Sequence, residues 1–461
     1  MLTQLLQNSR MKLTSKLIPE PIMIAMTALA VMAISSCSTP QRNLPIGVFD
    51  SGTGGFTVLE KILAQEGLAN EDFQYLADQA NMPYGRYDAE GKADFLRDLA
   101  VKDAFFLTGE GYFRDSESIV PDCAKNKVKI VVIGCNTATA YGLQAIRDTL
   151  NALGNDTHVI GVVGAGVRGT VEKLEEMGYE RASIGVLATP GTISSNVYER
   201  TILQETDGRM TVQVVNQGGY GFAESVDEEK EFVDRSLTGF SENYRGPVLG
   251  TSDADIDPAI LDLYNFDYSD GKAFLETAVD GTPVRIQINS PDNYARFNLV
   301  NLLVKAGAEA LDEPLRCIIL GCTHYPFQQE TLASQLGFVR NYTAADGSHP
   351  YEKVIAEDCV FIDPALNTAV ECYEALKEMK LLTRKHKPGR LSAYISVPSA
   401  HLPDSCLAAD GGLSYAFKYG REINDGTLTT VNVPMSEKTV NSDNLERIER
   451  LLPLCWEKLS Q

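Results

Sequence analysis

Two short stretches of the chain repeat one design: Val132-Ile133-Gly134-Cys135-Asn136-Thr137 and Ile319-Leu320-Gly321-Cys322-Thr323-His324. Each is an apolar run, then a glycine, then a cysteine at the mouth of a turn. Helix-like segments follow at 138–150 and 328–336. Two upstream strand starts match as well, Ile46-Gly47-Val48-Phe49-Asp50-Ser51-Gly52 and Ile184-Gly185-Val186-Leu187-Ala188-Thr189. A chain that builds the same strand–thiol–helix corner twice can set two thiols face to face across one pocket. Opposed thiols fit proton transfer on both faces of a carbon.

Strand-like runs at 46–49, 73–76, 128–133 and 159–163 alternate with helix-like segments at 57–65, 94–107 and 138–150. The pattern restarts at 182–188 and runs through 210–215 and 317–320. Apolar β-branched runs between helices read as parallel strands buried on both faces. The expected fold class is therefore α/β: two pseudo-symmetric α/β domains with mainly parallel sheets, and an active site in the crevice between them. A chain of 461 residues has room for this. Residues 46–160 and 340–461 are assigned to the first domain and 161–339 to the second. The acidic stretch at about 227–291 reads as an insertion forming a small lid or surface module, and 342–358 as a connector. The tail is expected to hold a helix at 368–380, a strand at 393–397 and a final helix at 442–459.

The N-terminus reads as a targeting segment. Arg10, Lys12 and Lys16 form a basic region, an apolar run covers 21–34, and Ser35-Ser36-Cys37 resembles the lipobox of bacterial lipoproteins. Residues 1–36 would be a lipoprotein signal peptide, Cys37 the lipidation site and 37–45 a linker. The protein would then sit at the bacterial cell envelope, its membrane partner reached through acyl chains. The formal net charge of -21 argues against nucleic acid as a partner, since phosphate binding needs a basic stripe.

Asp50-Ser51-Gly52-Thr53-Gly54-Gly55 closes the first strand and lets backbone approach a ligand. A dinucleotide fingerprint is absent. Cys135 and Cys322 stand at strand ends before helices, where helix amides are expected to lower the thiol pKa. Asn136, Thr137 and Thr323 place donors beside the thiols, and His324 is spaced to relay a proton for Cys322. Cys317 sits in a buried strand pattern and reads as packing. The run Asp253-Ala254-Asp255-Ile256-Asp257 lacks the turn glycine and distal glutamate of a calcium loop and reads as a solvated turn. No metal and no cofactor are assigned.

Taken in order, Asp50-Ser51-Gly52, Pro83-Tyr84-Gly85, Cys135-Asn136-Thr137-Ala138, Ala188-Thr189-Pro190-Gly191-Thr192 and Gly321-Cys322-Thr323-His324-Tyr325-Pro326 resemble the glutamate racemases of the cofactor-independent Asp/Glu racemase superfamily. The resemblance implies a small acidic amino acid as substrate and Cys135 and Cys322 as the two bases. It implies Asp50 as the carboxylate beside the first thiol, His324 assisting the second, and Glu224, in Phe222-Ala223-Glu224, as the family's second acid. Ser51, Pro83, Tyr84, Gly85, Asn136, Thr137, Thr189, Thr192 and Thr323 match positions that hold the substrate's carboxylates and amine. A homodimer is compatible with it. Two alternatives stay open at this point: a related isomerase on another substrate, and a non-catalytic periplasmic binding lipoprotein.

Overall fold

The computed structural model describes residues 40–422 and 427–460. The signal segment, Cys37 and the start of the linker lie outside the described residues. Among the described residues, ten of the fourteen strands form two large sheets, and the other four make two separate hairpin-like pairs. β1 (Ile46–Asp50), β2 (Phe73–Ala77), β3 (Ile130–Ile133), β4 (His158–Gly161), β9 (Leu391–Pro398) and β10 (Thr430–Pro434) make a six-stranded sheet in the order β10-β9-β2-β1-β3-β4. The second sheet is β8-β7-β5-β6, from β5 (Arg181–Ala188), β6 (Thr211–Gly218), β7 (Leu315–Gly321) and β8 (Ile355–Ile362). Pairing within these two sheets is parallel throughout except between β9 and β10.

The internal repeat is visible in the strand order. β2-β1-β3-β4 in one half and β6-β5-β7-β8 in the other are the same arrangement. Every residue of β1 and β3 is buried, as expected of parallel strands covered on both faces. Cys135 and Cys322 therefore leave equivalent strands, β3 and β7, at their carboxyl ends.

Two boundaries differ from the sequence expectation. Val162 and Val163 open a helix, Val162–Glu176, instead of ending a strand. Val163, Val167, Val171 and Leu174 form its apolar stripe, which packs with Ile184 and Val186 of the second half. The supposed connector runs into β8, which begins at Ile355 and whose Val360, Phe361 and Ile362 pair with Cys317, Ile318 and Ile319. The second half thus runs to Ile362, and the assignment of 340–362 to the first domain is corrected. The exposed Glu357 and Asp358 inside β8 hid it, because an edge strand need not be apolar on both faces.

The chain returns through helix Pro364–Glu378, whose Ala365, Ala369, Cys372 and Leu376 join the core of the first half. The two crossing helices meet at glycines. A Cβ on Gly166 would lie 2.7 Å from Pro364, and one on Gly169 would lie 2.1 Å from the Asn367 side chain. Only glycine permits that approach.

The acidic segment packs into the core of the second half, and its first residues, Asp227 and Glu229, reach the crevice. Val233, Ile256, Leu263, Tyr264, Phe266, Ala273, Ile286 and Ile288 are buried in one core with helix Pro291–Ala308. Within its acidic run, Asp255 accepts from Ser252 and Asp257 caps Ala259. The final helix is broken in two, Ser442–Leu451 and Pro453–Leu459, since a proline removes a helical N–H and crowds the preceding turn. Among the described residues no helix is long and apolar enough to cross a membrane.

Candidate active site

The carboxyl ends of β1, β3, β5 and β7 converge on a cavity of about 50 Å³ between the halves. Both thiols line it. So do Asp50, Ser51, Pro83, Tyr84, Gly85, Asn136, Thr137, Thr189, Glu224, Thr323 and His324, which sequence reasoning had singled out. Every cysteine among the described residues is a free thiol.

Cys135 is the N-cap of helix Asn136–Ala152 and is 6% exposed. Its sulfur accepts from the Ala138 amide at 3.4 Å and donates to Ser51 Oγ at 3.7 Å. Burial first, and then the neighbouring Asp50 charge, push this thiol well above its ordinary range; the Ala138 amide and Ser51 pull the other way and lose. The helix end does pull the Cys135 pKa down through the Ala138 amide, but the expected net lowering is corrected to a rise, because burial and Asp50 outweigh it. Asp50 is itself raised, by burial, against the opposing pull of His324 and of the Ser51 amide that donates to it at 2.7 Å.

Cys322 stands in a different setting. Its strand ends at Gly321, and a 3₁₀ turn, Tyr325–Gln328, separates it from helix Gln329–Arg340. Cys322 therefore caps no helix, and its companion is His324, with Sγ 3.5 Å from Nδ1. The other ring nitrogen, Nε2, lies 3.1 Å from Asp227 Oδ2. Asp227 Oδ1 in turn meets the Arg447 guanidinium at 2.5 Å. Burial opposes charge on His324, but Asp227 and then Cys322 outweigh it and hold the ring well above the usual imidazole range. Burial would likewise raise Asp227; His324 and Arg447 overcome it and hold the carboxyl far below its usual range. The pair is an imidazolium–carboxylate.

The glycine turn after β1 serves this pair. A Cβ on Gly54 would lie 2.5 Å from His324 Cε1 and 2.8 Å from Nε2. The turn is glycine because the histidine of the opposite half fills the space a side chain would need.

Thr137, Thr189 and Thr192 close a triangle of hydroxyls across the two halves, at 3.3, 3.0 and 2.9 Å. Thr192 lies behind the cavity wall and orients the other two. Asn136 Oδ1 accepts from Tyr198 at 2.6 Å, which leaves its amide N–H groups as the available donors. Tyr84 is placed differently from expectation. Its hydroxyl is spent on Asp78 and on Asp103 at 2.8 Å, so it holds the Pro83–Gly85 wall rather than a ligand.

Glu224 lines the cavity with its carboxyl raised by burial, but His324 takes Asp227 as its partner. Both acids come from one short helix, Phe222–Val226, with Asp227 just past its end. Glu224, the acid that the resemblance nominates, keeps its place in the cavity, and Asp227 is the acid that meets His324 directly. Sequence reasoning also missed Met82 and Glu229 in the cavity wall and Arg447 behind it. Glu229 is pushed up to about 8, by burial and then by Glu224 and Asp227.

Two repeated α/β halves thus each bring a thiol and a carboxyl group to one shared crevice. No family model matches the chain. In sequence it resembles glutamate racemases: it is 35% identical over 205 residues to that of Gloeothece citriformis, covering 44% of this chain and 60% of the relative. It is 34% identical over 195 residues to that of Lysinibacillus sphaericus, covering 42% and 62%. The chain thus spans less than two thirds of these relatives in each match. A longer match, 24% identical over 352 residues, joins it to the glutamate racemase of Lactobacillus johnsonii, covering 76% and 88%. Among solved structures, glutamate racemase isoform RacE1 of Bacillus anthracis aligns with TM-score 0.46 and 22% identity, over 76% of this chain and 89% of that one.

Proposed function

We propose that this protein interconverts L- and D-glutamate by moving protons between the substrate's α-carbon and two thiols. The observation that carries the reading is the pairing of each thiol with its own acid: Asp50 beside Cys135, and Asp227 acting through His324 beside Cys322.

For one enantiomer, Cys322 as thiolate takes the α-proton while the Cys135 thiol delivers its proton to the opposite face. The electron pair of the broken C–H bond passes through the α-carbon, shared with the carboxylate, into the new C–H bond. One proton enters and one leaves. For the other enantiomer the roles reverse. Charge builds on the substrate carboxylate in the transition state, and fixed donors in a water-poor crevice stabilise it best. Ser51, Asn136, Thr137, Thr189 and Thr323 are the donors that face the cavity.

The test is loss of optical activity from pure L- and D-glutamate, with no addition to the buffer. Cys135→Ala and Cys322→Ala should each abolish it. Activity of either variant at the parent rate refutes the two-thiol reading; a panel with aspartate and substituted malonates distinguishes other acidic substrates. The N-terminal basic and apolar segments and Ser35-Ser36-Cys37 support anchorage by lipid at Cys37. Radiolabelled palmitate should label the parent and not Cys37→Ala.

A further inference from the structure

The C-terminal tail reaches into the site through one residue. Arg447 lies on helix Ser442–Leu451 and is 9% exposed. Besides its ion pair with Asp227, it donates to the Val226 carbonyl at 2.9 Å, to Asn444 Oδ1 at 2.8 Å and to Thr53 Oγ1 at 3.4 Å. Thr53 belongs to the glycine turn of the first half, and Val226 and Asp227 belong to the second. A guanidinium taken out of water is costly unless every face is paired, and here it is paired across the crevice.

We propose that Arg447 is a positioning residue for the Cys322 half of the reaction. It fixes Asp227, Asp227 fixes and charges His324, and the charged ring holds the Cys322 sulfur in place through Nδ1 while Cys322 itself takes or gives the α-proton. Cys135 makes no direct contact with any member of this chain, which reaches it only through the pull of His324 on Asp50. Its nearest groups are Ser51, Asp50 and the Ala138 amide. The inference rests on the racemase reading above.

The test must isolate the half-reactions. The two enantiomers have equal standard free energies, so kcat/KM in the two directions must fall together in the intact enzyme whatever is mutated. Single-thiol variants escape that constraint. With only Cys322 present (Cys135→Ala), one enantiomer of glutamate should exchange its α-hydrogen with deuterated buffer; with only Cys135 present (Cys322→Ala), the other should.

Adding Arg447→Gln should slow exchange by about ten- to hundred-fold in the Cys135→Ala background, the range that misplacement by an ångström produces. It should leave exchange in the Cys322→Ala background within about threefold, well short of that misplacement range. Arg447→Lys should restore part of the loss. Asp227→Asn should slow the same half-reaction, and adding Arg447→Gln to it should cost nothing further, as linked residues require.

Equal slowing in both backgrounds would mean that Arg447 only straps the halves together, and an unchanged rate in the Cys135→Ala background would also overturn the inference. If Arg447→Gln does not fold, Asn444→Ala, which removes one brace of the guanidinium, must show the same one-sided loss. Failure of both single-thiol enzymes and of the parent to exchange either enantiomer counts against the racemase reading instead.

Discussion

Gly54→Ala is the most informative small perturbation of this site. The added methyl would stand 2.5 Å from His324 Cε1, 2.8 Å from Nε2 and 2.9 Å from Thr323 Oγ1. Carbon contacts settle near 3.5–4.0 Å, so one side must give by about 1 Å. His324 is the member that can turn, and it cannot turn without losing Cys322 at 3.5 Å or Asp227 at 3.1 Å. A displacement of that size in a proton relay costs about 100-fold in rate, and the overpacking costs about 1–3 kcal/mol of stability. Racemisation of glutamate followed by circular dichroism, beside thermal unfolding, measures both. Gly337→Ala is the control: it lies inside helix Gln329–Arg340 and its Cβ meets nothing within 4 Å. It should keep full activity and gain roughly 0.5–1 kcal/mol. Gly54→Ala with the parent's rate would refute the claim that this glycine exists to admit His324.

Asp50→Asn removes the charge that, after burial, pushes the Cys135 thiol up, so alkylation of Cys135 in a Cys322→Ala background should set in at lower pH than with Asp50 present. The Asp227–His324 pair gives a stability window with a defined sign. The raised His324 contributes in full below about pH 6.5 and loses its contribution as pH climbs through its folded pKa, while the lowered Asp227 contributes in full above about pH 4 and loses it as pH falls through its folded pKa. The melting-temperature gap between the parent and Asp227→Asn should therefore be widest between those limits and shrink on both sides. Arg421, 5% exposed, donates to Asn81 Oδ1 at 2.6 Å and Tyr87 at 3.1 Å behind the Pro83–Gly85 wall. Arg421→Gln should cost about 1–3 kcal/mol through the partners it strands and raise KM for glutamate.

The repeated Gly-Cys corner carried most of the fold: two α/β halves follow from it, as do both thiols in one crevice. What it left out has physical reasons. Asp227 was hidden because the residue that reaches His324 depends on where a five-residue helix ends, and one turn separates it from Glu224. Arg447 was hidden because its partners are Thr53 and Asp227, and no local pattern links a tail helix to either. The Cys135 thiol was misjudged because the helix end gives a local rule, whereas burial and Asp50 act through the folded surroundings. β8 escaped notice because an edge strand carries Glu357 and Asp358 where a central strand would be apolar.

Early isotope content tests the two-sided mechanism most directly. L-Glutamate is incubated briefly in deuterated buffer, and product and unreacted substrate are separated and weighed by mass spectrometry. Removal by one sulfur and delivery by another predicts D-glutamate carrying solvent deuterium from the first turnovers, while the remaining L-glutamate stays protiated; the mirror result holds from D-glutamate. D-Glutamate that keeps the original hydrogen would mean that one group serves both faces, and the paired-thiol account would be wrong.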